Sequence, residues 1–417
     1  MGKVWKQGLI VGCLVGVLSL PYNAGARDLF EVTATTNPGQ VNEISTNTGL
    51  SNAEDAIRQM DSNQLSNLIN SYNVITPALA TIDFRGLLLN VSFPNAGTSL
   101  NLDIPSLKIY QQFTGATRDD SVDALVDFFQ SEGGSLLNDI QKKLAAVSPV
   151  DPIAGNPNSL QASLIADAFT QNAFDTSDAV MAKTDGSDAN NVLKIGVSGG
   201  KFSSGDIDGT SIAIPLGYTV RFDSNPEWQL KMSMPLQMVK VGDSDIYNVG
   251  FGVSLRMPVS KDWAISPGIS WGVAGSIDAA SAAQMVSYSV TSQYRLPVSS
   301  MNLILGNMIG QTQTLGFKVG DYDIDPDISN TIFRNGLQAE FPTQIKVFGA
   351  ACSTQLSFVN TTFSGDDLYL DSYNDIAISF GKQRIERECL TNHLRAGVTY
   401  TFGADYDAVK FNLGYSF

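Results

Sequence analysis

The sequence has few charged residues, and most of those are acidic. Charged residues make up 16% of the 417 residues, against about a quarter in a typical soluble domain. With 26 Lys and Arg against 41 Asp and Glu, the formal net charge is −15. Nucleic-acid binding needs a basic surface that neutralises phosphates, so we expect no nucleic-acid partner.

Histidine and cysteine are also scarce. There is one histidine, His393, and the three cysteines are Cys13, Cys352 and Cys389. This spacing fits no zinc motif, and no Gly-x-Ser-x-Gly motif surrounds His393. We therefore expect no enzyme, no cofactor and no metal, and an enzyme that depends on His393 is the last-ranked alternative. Whether Cys352 and Cys389 pair in an oxidising compartment stays open.

One acidic segment has the spacing of a possible metal site. Asp321–Asp327 places carboxylates at alternating positions, as a calcium-binding loop does. Pro326 stands where such a loop needs glycine, and Ile332 stands where the closing glutamate is expected. We therefore predict a solvated outer loop here, and the same for Asp366 and Asp367.

Long apolar runs are absent except at the N-terminus. Two lysines precede the apolar run Gly8–Leu20, and the small residues Ala24-Gly25-Ala26 follow it. This pattern predicts a secretory signal peptide over residues 1–26. A lipoprotein cleavage site at Cys13 is the weaker alternative, because the apolar run continues well beyond it. No later stretch reaches the roughly 18 apolar residues of a spanning helix.

Residues 27–188 predict a mixed, mainly helical domain that contains a β-hairpin. Helical spacing dominates Asp119–Leu144 and Leu160–Val180. Earlier in the chain, apolar residues alternate from Leu87 to Ile104 around a turn at Pro94–Gly97, which predicts the hairpin. We expect this domain on the periplasmic side of a membrane or as a plug.

From residue 189 to 417 the apolar residues recur with period two. Runs such as Ile212–Phe222 and Trp228–Met238 each carry one apolar face and are separated by turn signals. Repeated runs of roughly ten residues of this kind are typical of a transmembrane antiparallel β-barrel. We predict about twelve strands. The segments 301–317 and 343–359 alternate poorly, so ten to fourteen strands remain open.

The lengths of the connections support the same fold. If the barrel begins in the periplasm, even-numbered connections should be tight, and Ser224–Glu227 and Val259–Asp262 are short. Connections seven and nine, Val319–Asn330 and Asn360–Asn374, are long and acidic. The tenth, Glu386–Asn392, is longer than this rule expects. A soluble β-sandwich also produces alternation, but it would require the signal peptide and turn lengths to coincide by chance.

The last strand carries an apolar residue at every odd position up to the terminal aromatic. These residues are Val409, Phe411, Leu413, Tyr415 and Phe417. The pattern resembles the C-terminal assembly signal of Gram-negative outer-membrane β-barrels. The resemblance implies an outer-membrane location, contact with outer-membrane lipids and insertion by the barrel-assembly machinery. About twelve strands after a helical stretch also resemble the translocator of autotransporters. Trimeric porins usually have more strands, so a monomer is expected.

If the apolar positions face lipid, the alternate positions face the lumen, and these are mainly basic. They are Arg221, Lys231, Arg256, Arg295, Arg334, Lys346, Arg395 and Lys410, with Glu340 as the clearest acid. Three interpretations stay open: a solvated wall, an anion filter, or pairing with an acidic plug. The candidate plug acids are Asp167, Asp175, Asp178, Asp185 and Asp188.

These features lead to two functional hypotheses from different classes. The leading one is a channel or transporter for small polar solutes with a partly occluded lumen. The alternative is an autotransporter-like barrel that displays its N-terminal domain at the cell surface for adhesion.

Overall fold

The computed structural model describes most of the chain beyond the predicted signal peptide. The described ranges are 28–50, 52–129, 134–174, 191–222, 224–298, 301–319, 322–347, 350–382 and 393–416. The predicted signal peptide, Cys389, Phe417 and the predicted domain boundary at 188 lie outside these ranges. Among the described residues, no helix combines the length and apolar character needed to cross a membrane.

The N-terminal domain is built on a six-stranded antiparallel sheet. Its strands are β1 Phe30–Thr36, β2 Ile44–Leu50, β3 Ala78–Phe84, β4 Leu87–Phe93, β5 Ser99–Ile104 and β6 Ile109–Thr114, in the spatial order β2-β1-β3-β4-β5-β6. Successive side chains of a strand point to opposite faces. One face is therefore apolar and buried, with Val32, Ile82 and Leu102 fully inaccessible, and the other face is polar.

The prediction of a mainly helical N-terminal domain is wrong, although the predicted hairpin is present as β4 and β5. The helices are short: α1 Ala53–Arg58, α2 Ser62–Leu68, α3 Arg118–Asp127 and α4 Gly134–Val147. One of the missed strands, β2, has almost no apolar pattern of its own. In β2, Ser, Thr, Asn and Gly occupy the five positions between Ile44 and Leu50, and it is held by full pairing with β1. Strand formation there depends on pairing with the neighbouring β1 more than on intrinsic propensity.

The C-terminal part is a closed barrel of twelve antiparallel strands, which confirms the predicted fold of this region. The strands are β7 Val192–Ser204, β8 Ile207–Phe222, β9 Asn225–Val241, β10 Ser244–Pro258, β11 Trp263–Ser276, β12 Ser281–Val298, β13 Met301–Leu315, β16 Ser329–Val347, β17 Ala350–Gly365, β18 Ser372–Lys382, β19 His393–Gly403 and β20 Tyr406–Ser416. A small hairpin, β14 Phe317–Val319 and β15 Tyr322–Ile324, lies in the connection between β13 and β16. Pairing of β20 with β7 closes the barrel, so no strand edge is left unpaired.

The outer surface of the barrel is apolar. Phe251, Trp271, Ile309, Phe333 and Phe411 are each 43–52% exposed, although they are large apolar side chains. A soluble protein rarely exposes so continuous an apolar surface. This surface matches the outward apolar band of a membrane barrel.

The N-terminal domain packs on one end of the barrel. Phe202, Ile207, Leu370 and Tyr406, all near the odd-numbered connections, share one buried apolar cluster with the N-terminal sheet. We call this end the domain end. The first strand begins at Val192, at the opposite end, which we call the terminal end; β20 also finishes there, at Ser416.

Candidate functional site

The lumen is occupied by a segment of the same chain. Residues 148–174, which we call the plug, begin at the domain end, where the Ser204 hydroxyl donates to the Pro149 carbonyl at 2.8 Å. The plug continues as helix α5, Leu160–Phe169, and a π-helical turn, Thr170–Phe174. Ser159 caps α5 by accepting a hydrogen bond from the Ala162 N–H, which satisfies one of the free donors at the helix start.

Glycines in the barrel wall make room for α5. A Cβ atom added to Gly250 would lie 2.7 Å from Leu164, and one added to Gly272 would lie 2.8 Å from Leu160. Similar close approaches occur farther along the plug, where Gly306 faces Ala173 and Phe169 and Gly336 faces Phe174 and Phe169. Gly310 is in ordinary contact with Ile165. The plug therefore packs directly against the backbone of β10, β11, β13 and β16, which leaves no room for larger wall side chains there.

Polar side chains of the wall bind the plug at several levels. Gln161 donates from Nε2 to both Thr312 Oγ1 and Asn330 Oδ1, each at 3.0 Å. Gln293 Nε2 donates to the Ala173 carbonyl at 2.8 Å, nearer the terminal end. Buried polar groups in an apolar setting must be hydrogen-bonded, so these contacts fix the position of the plug as well as filling space.

Among the described contacts, three of the predicted lumenal basic residues reach the plug. Lys231 Nζ donates to the Gln171 carbonyl at 2.7 Å, and Lys410 Nζ donates to Asn158 Oδ1 at 3.0 Å. The Arg334 guanidinium lies 5.3 Å from the centroid of the Phe169 ring. Of the predicted plug acids, only Asp167 lies in the described residues, and it hydrogen-bonds Ser233. The described contacts of the two lysines are thus with plug amide and carbonyl oxygens.

Arg334 also belongs to a buried network in the wall that the sequence analysis missed. Its Nη2 atom lies 3.0 Å from Asp375 Oδ2, and its Nη1 atom donates to Thr361 and Tyr373. The Thr401 hydroxyl donates to the other Asp375 oxygen at 2.7 Å. Asp375 therefore compensates a cation that would otherwise be buried without a counter-charge.

The described contacts of the other predicted lumenal residues are with the barrel wall. Arg256 donates to the Glu227 carbonyl and to Gln293, and Arg395 donates to Gln355 and Ser353. Glu340, the predicted acid, accepts from the Ser353 hydroxyl at 2.5 Å. Arg221 is buried, Arg295 is half-buried, and Lys346 is exposed beyond a register shift in β16. Their role in the lumen stays a prediction.

A buried ion pair joins the N-terminal domain to the start of the plug. Arg85 Nη1 lies 3.4 Å from Asp151 Oδ2, and both side chains are completely inaccessible. The other oxygen of Asp151 accepts the N–H groups of Ile153 and Ala154. Burial raises the pKa of Asp151 above its ordinary value, and Arg85 and the two N–H groups oppose that rise. Arg85 also lines a cavity of about 180 Å³.

The acidic outer segment contacts the N-terminal domain. Lys142 of α4 lies 3.0 Å from Asp366 Oδ1 and donates to the Asp327 carbonyl at 2.6 Å. The Asp325 N–H donates to Asn138 Oδ1 at 2.9 Å. Asp325, Asp327 and Asp366 belong to the loops that were predicted to be solvated. That expectation is incomplete, because these loops also bind α4. Asp321 lies outside the described residues.

The terminal strand places part of the predicted assembly signal on the outer wall. Val409 and Phe411 are 43% and 49% exposed, and Leu413 is half-buried. Tyr415 pairs with Ile195 and Leu394 through its backbone. His393 is the first residue of β19. The last-ranked hypothesis, an enzyme that depends on His393, stays untested.

No family model matches the chain, and no curated protein matches it in sequence. Among solved structures, the β-domain of the Bordetella autotransporter BrkA is similar over 54% of this chain and 98% of its own, at 11% identity and a TM-score of 0.42. The translocator domain of the autotransporter NalP from Neisseria meningitidis is similar over 55% of this chain and 88% of its own, at 8% identity and a TM-score of 0.42. An outer-membrane channel from Pseudomonas putida F1 is similar over 57% and 98%, at 8% identity and a TM-score of 0.35.

The protein is an outer-membrane β-barrel. Its twelve strands close without an edge, and its outer wall exposes large apolar side chains. Strands can span a bilayer only in such a closed arrangement, because every backbone polar group must be paired there.

Proposed function

We propose that the protein is an outer-membrane anchor that carries its N-terminal domain on the outer surface, with the lumen sealed by the plug. The observation that supports this most directly is the path of the chain. The plug starts beside Ser204 at the domain end and reaches Gln293 nearer the terminal end. Strand β7 then begins at Val192, at the terminal end.

The lengths of the connections support an outward position for the domain. The longest connection between barrel strands, residues 316–328, lies at the domain end, as does the connection 366–371. Residues 383–392, between β18 and β19 at the terminal end, are an exception to the trend. Outer-membrane barrels have short periplasmic turns and longer extracellular loops. By this rule the domain end faces outside, and the plug spans the membrane inside its own barrel.

The way the domain is attached favours a fixed unit over a loosely tethered one. Domain and barrel share a buried apolar cluster, the Arg85–Asp151 pair is inaccessible, and α4 is bound by the outer loops. A fixed outer domain is suited to presenting a binding surface, as in the adhesion hypothesis. The domain is expected to remain on the barrel after assembly.

Cysteine labelling on intact cells tests the side of the membrane. With the native cysteines replaced by Ser, Tyr110→Cys places a thiol at a residue of β6 that is 63% exposed. Ser260→Cys is the matched control, in an exposed turn at the terminal end. A membrane-impermeant maleimide should label Tyr110→Cys on intact cells and Ser260→Cys only after permeabilisation. The opposite pattern would contradict the proposal.

A channel function stays a second candidate because the inner wall of the barrel carries basic side chains, among them Lys231 and Lys410. In planar bilayers the intact chain should pass no steady current, since the plug fills the lumen. Steady current through the intact chain would favour the channel over the sealed anchor. Absence of current even after deletion of residues 27–188 would remove the channel hypothesis.

A further inference from the structure

The outer wall of the barrel carries an asparagine pair within its apolar surface. Asn307 of β13 and Asn335 of β16 are directly opposite each other, and Asn307 Nδ2 donates to Asn335 Oδ1 at 2.7 Å. Both side chains are exposed on the outer face. A polar side-chain pair at such a position faces hydrocarbon rather than water.

The surroundings of the pair are apolar on both sides along the strands. The next outward cross-strand pair toward the domain end is Ile309 with Phe333, and the next toward the terminal end is Leu305 with Leu337. These four side chains are 38–52% exposed. The asparagines are therefore enclosed by lipid-facing residues instead of lying at the edge of the apolar surface.

The pair belongs to a continuous polar row across neighbouring strands. Asn335 is in register with Asn360 of β17, and Asn360 is in register with Asn374 of β18. Asn360 Nδ2 donates to Asn374 Oδ1 at 3.0 Å. On the other side, Asn307 is opposite Ser292, which accepts from the Trp263 indole at 2.9 Å. Packing within the barrel wall, against the plug or against the N-terminal domain does not account for this outward polar row.

The hydrogen-bonding capacity of the pair is only partly used. Among the described residues, the bond between Asn307 and Asn335 leaves the Asn307 carbonyl oxygen, the second Asn307 N–H and both Asn335 N–H groups without a described partner. In hydrocarbon no water is present to satisfy such groups, and each unsatisfied group is unfavourable. A partner that supplies a donor and one or more acceptors at this site would reduce that penalty.

We propose that this row is the contact surface for a second copy of the chain within the membrane. A twofold axis places the same surface on both partners, so the free carbonyl of Asn307 in one copy would meet a free N–H of Asn335 in the other, and the reverse. Leu305, Ile309, Phe333 and Leu337 would surround the four amides with apolar contacts. The chemistry of the pair is thus self-complementary.

Site-specific photo-crosslinking in native membranes tests this proposal. A benzoylphenylalanine at Leu305 lies beside the asparagines without replacing them. The matched control is Ile214 in β8, which is 39% exposed and lies on the far side of the barrel. Irradiation should give an adduct of twice the chain mass from position 305 and none from position 214.

The double substitution Asn307→Leu with Asn335→Leu separates this proposal from chance proximity. Amide hydrogen bonds within membranes are worth enough to change association by roughly tenfold, so the yield of the double-mass adduct should fall by about that factor. Heat-modifiable migration on gels checks that the variant barrel remains folded. An adduct with a different protein, an adduct with lipid only, or an unchanged yield in the double variant would each overturn the proposal.

Discussion

Replacement of Gly306 by Val should destabilise the barrel by displacing the plug. A Cβ atom at this position would lie 2.6 Å from Ala173 Cβ and 3.0 Å from Phe169 Cζ, both in the plug. Real Cβ atoms do not approach other carbons this closely, so the π-helical turn must move. Overpacking of a filled interior typically costs about 1–3 kcal/mol. Val suits a strand better than Gly does, so any loss comes from the collision.

Urea unfolding in detergent micelles, followed by tryptophan fluorescence, measures this effect. Gly414→Val is the matched control, because a Cβ atom at Gly414 meets nothing within 4 Å, and we expect a change within about 0.5 kcal/mol there. Ala173→Gly in the Gly306→Val background removes the nearest colliding atom. The double-mutant cycle should give a coupling of at least about 0.5 kcal/mol. Additive effects, or equal losses at Gly306 and Gly414, would refute the packing of plug against wall.

Three further predictions concern charges. Asp151→Asn leaves Arg85 buried without a counter-charge and should lower the free energy of unfolding by about 3–5 kcal/mol. In thermal melts, adding Arg85→Leu should recover the lost stability. Arg334→Met leaves the Asp375 carboxylate inside the wall without a counter-charge and should lower the free energy of unfolding in urea by roughly 3–5 kcal/mol. Adding Asp375→Leu in the same chain should restore much of the lost stability, and failure to do so would contradict the network. Lys142→Met breaks a pair whose lysine is 39% exposed, so protection of α4 from limited proteolysis should weaken by less than about 1 kcal/mol.

The barrel was predictable from sequence because most of its strands alternate in the expected sense. The segment 301–317 alternated poorly, and the plug explains the apolar side chains on its inner face. On β13 the inward positions Ile304 and Met308 are buried apolar residues, whereas the outward position Asn307 is polar and exposed. The prediction of alternating apolar and polar residues assumes a water-filled lumen, and it fails where the barrel wall packs against an apolar helix.

The candidate site was only partly predictable. Asp375 is in register with Thr401 on the inner face of β18, so the alternation of that strand contained the information needed to find it. Contacts such as Gln161 with Thr312 join residues about 150 positions apart, and no local pattern encodes them. The same limit explains the missed sheet, because β1 pairs with both β2 and the distant β3.

Disulfide trapping tests most directly whether the plug occupies the lumen of the folded barrel. Ala173→Cys with Gly306→Cys, in a chain whose Cys352 and Cys389 are replaced by Ser, brings two thiols together after a relaxation of about 1 Å. The control pair is Ala173→Cys with Gly414→Cys. We expect the first pair to form a disulfide in native membranes, seen as a gel shift that reductant reverses, and the control pair to stay reduced. Absence of a disulfide in the first pair, with the barrel folded, would contradict a plug that threads its own barrel.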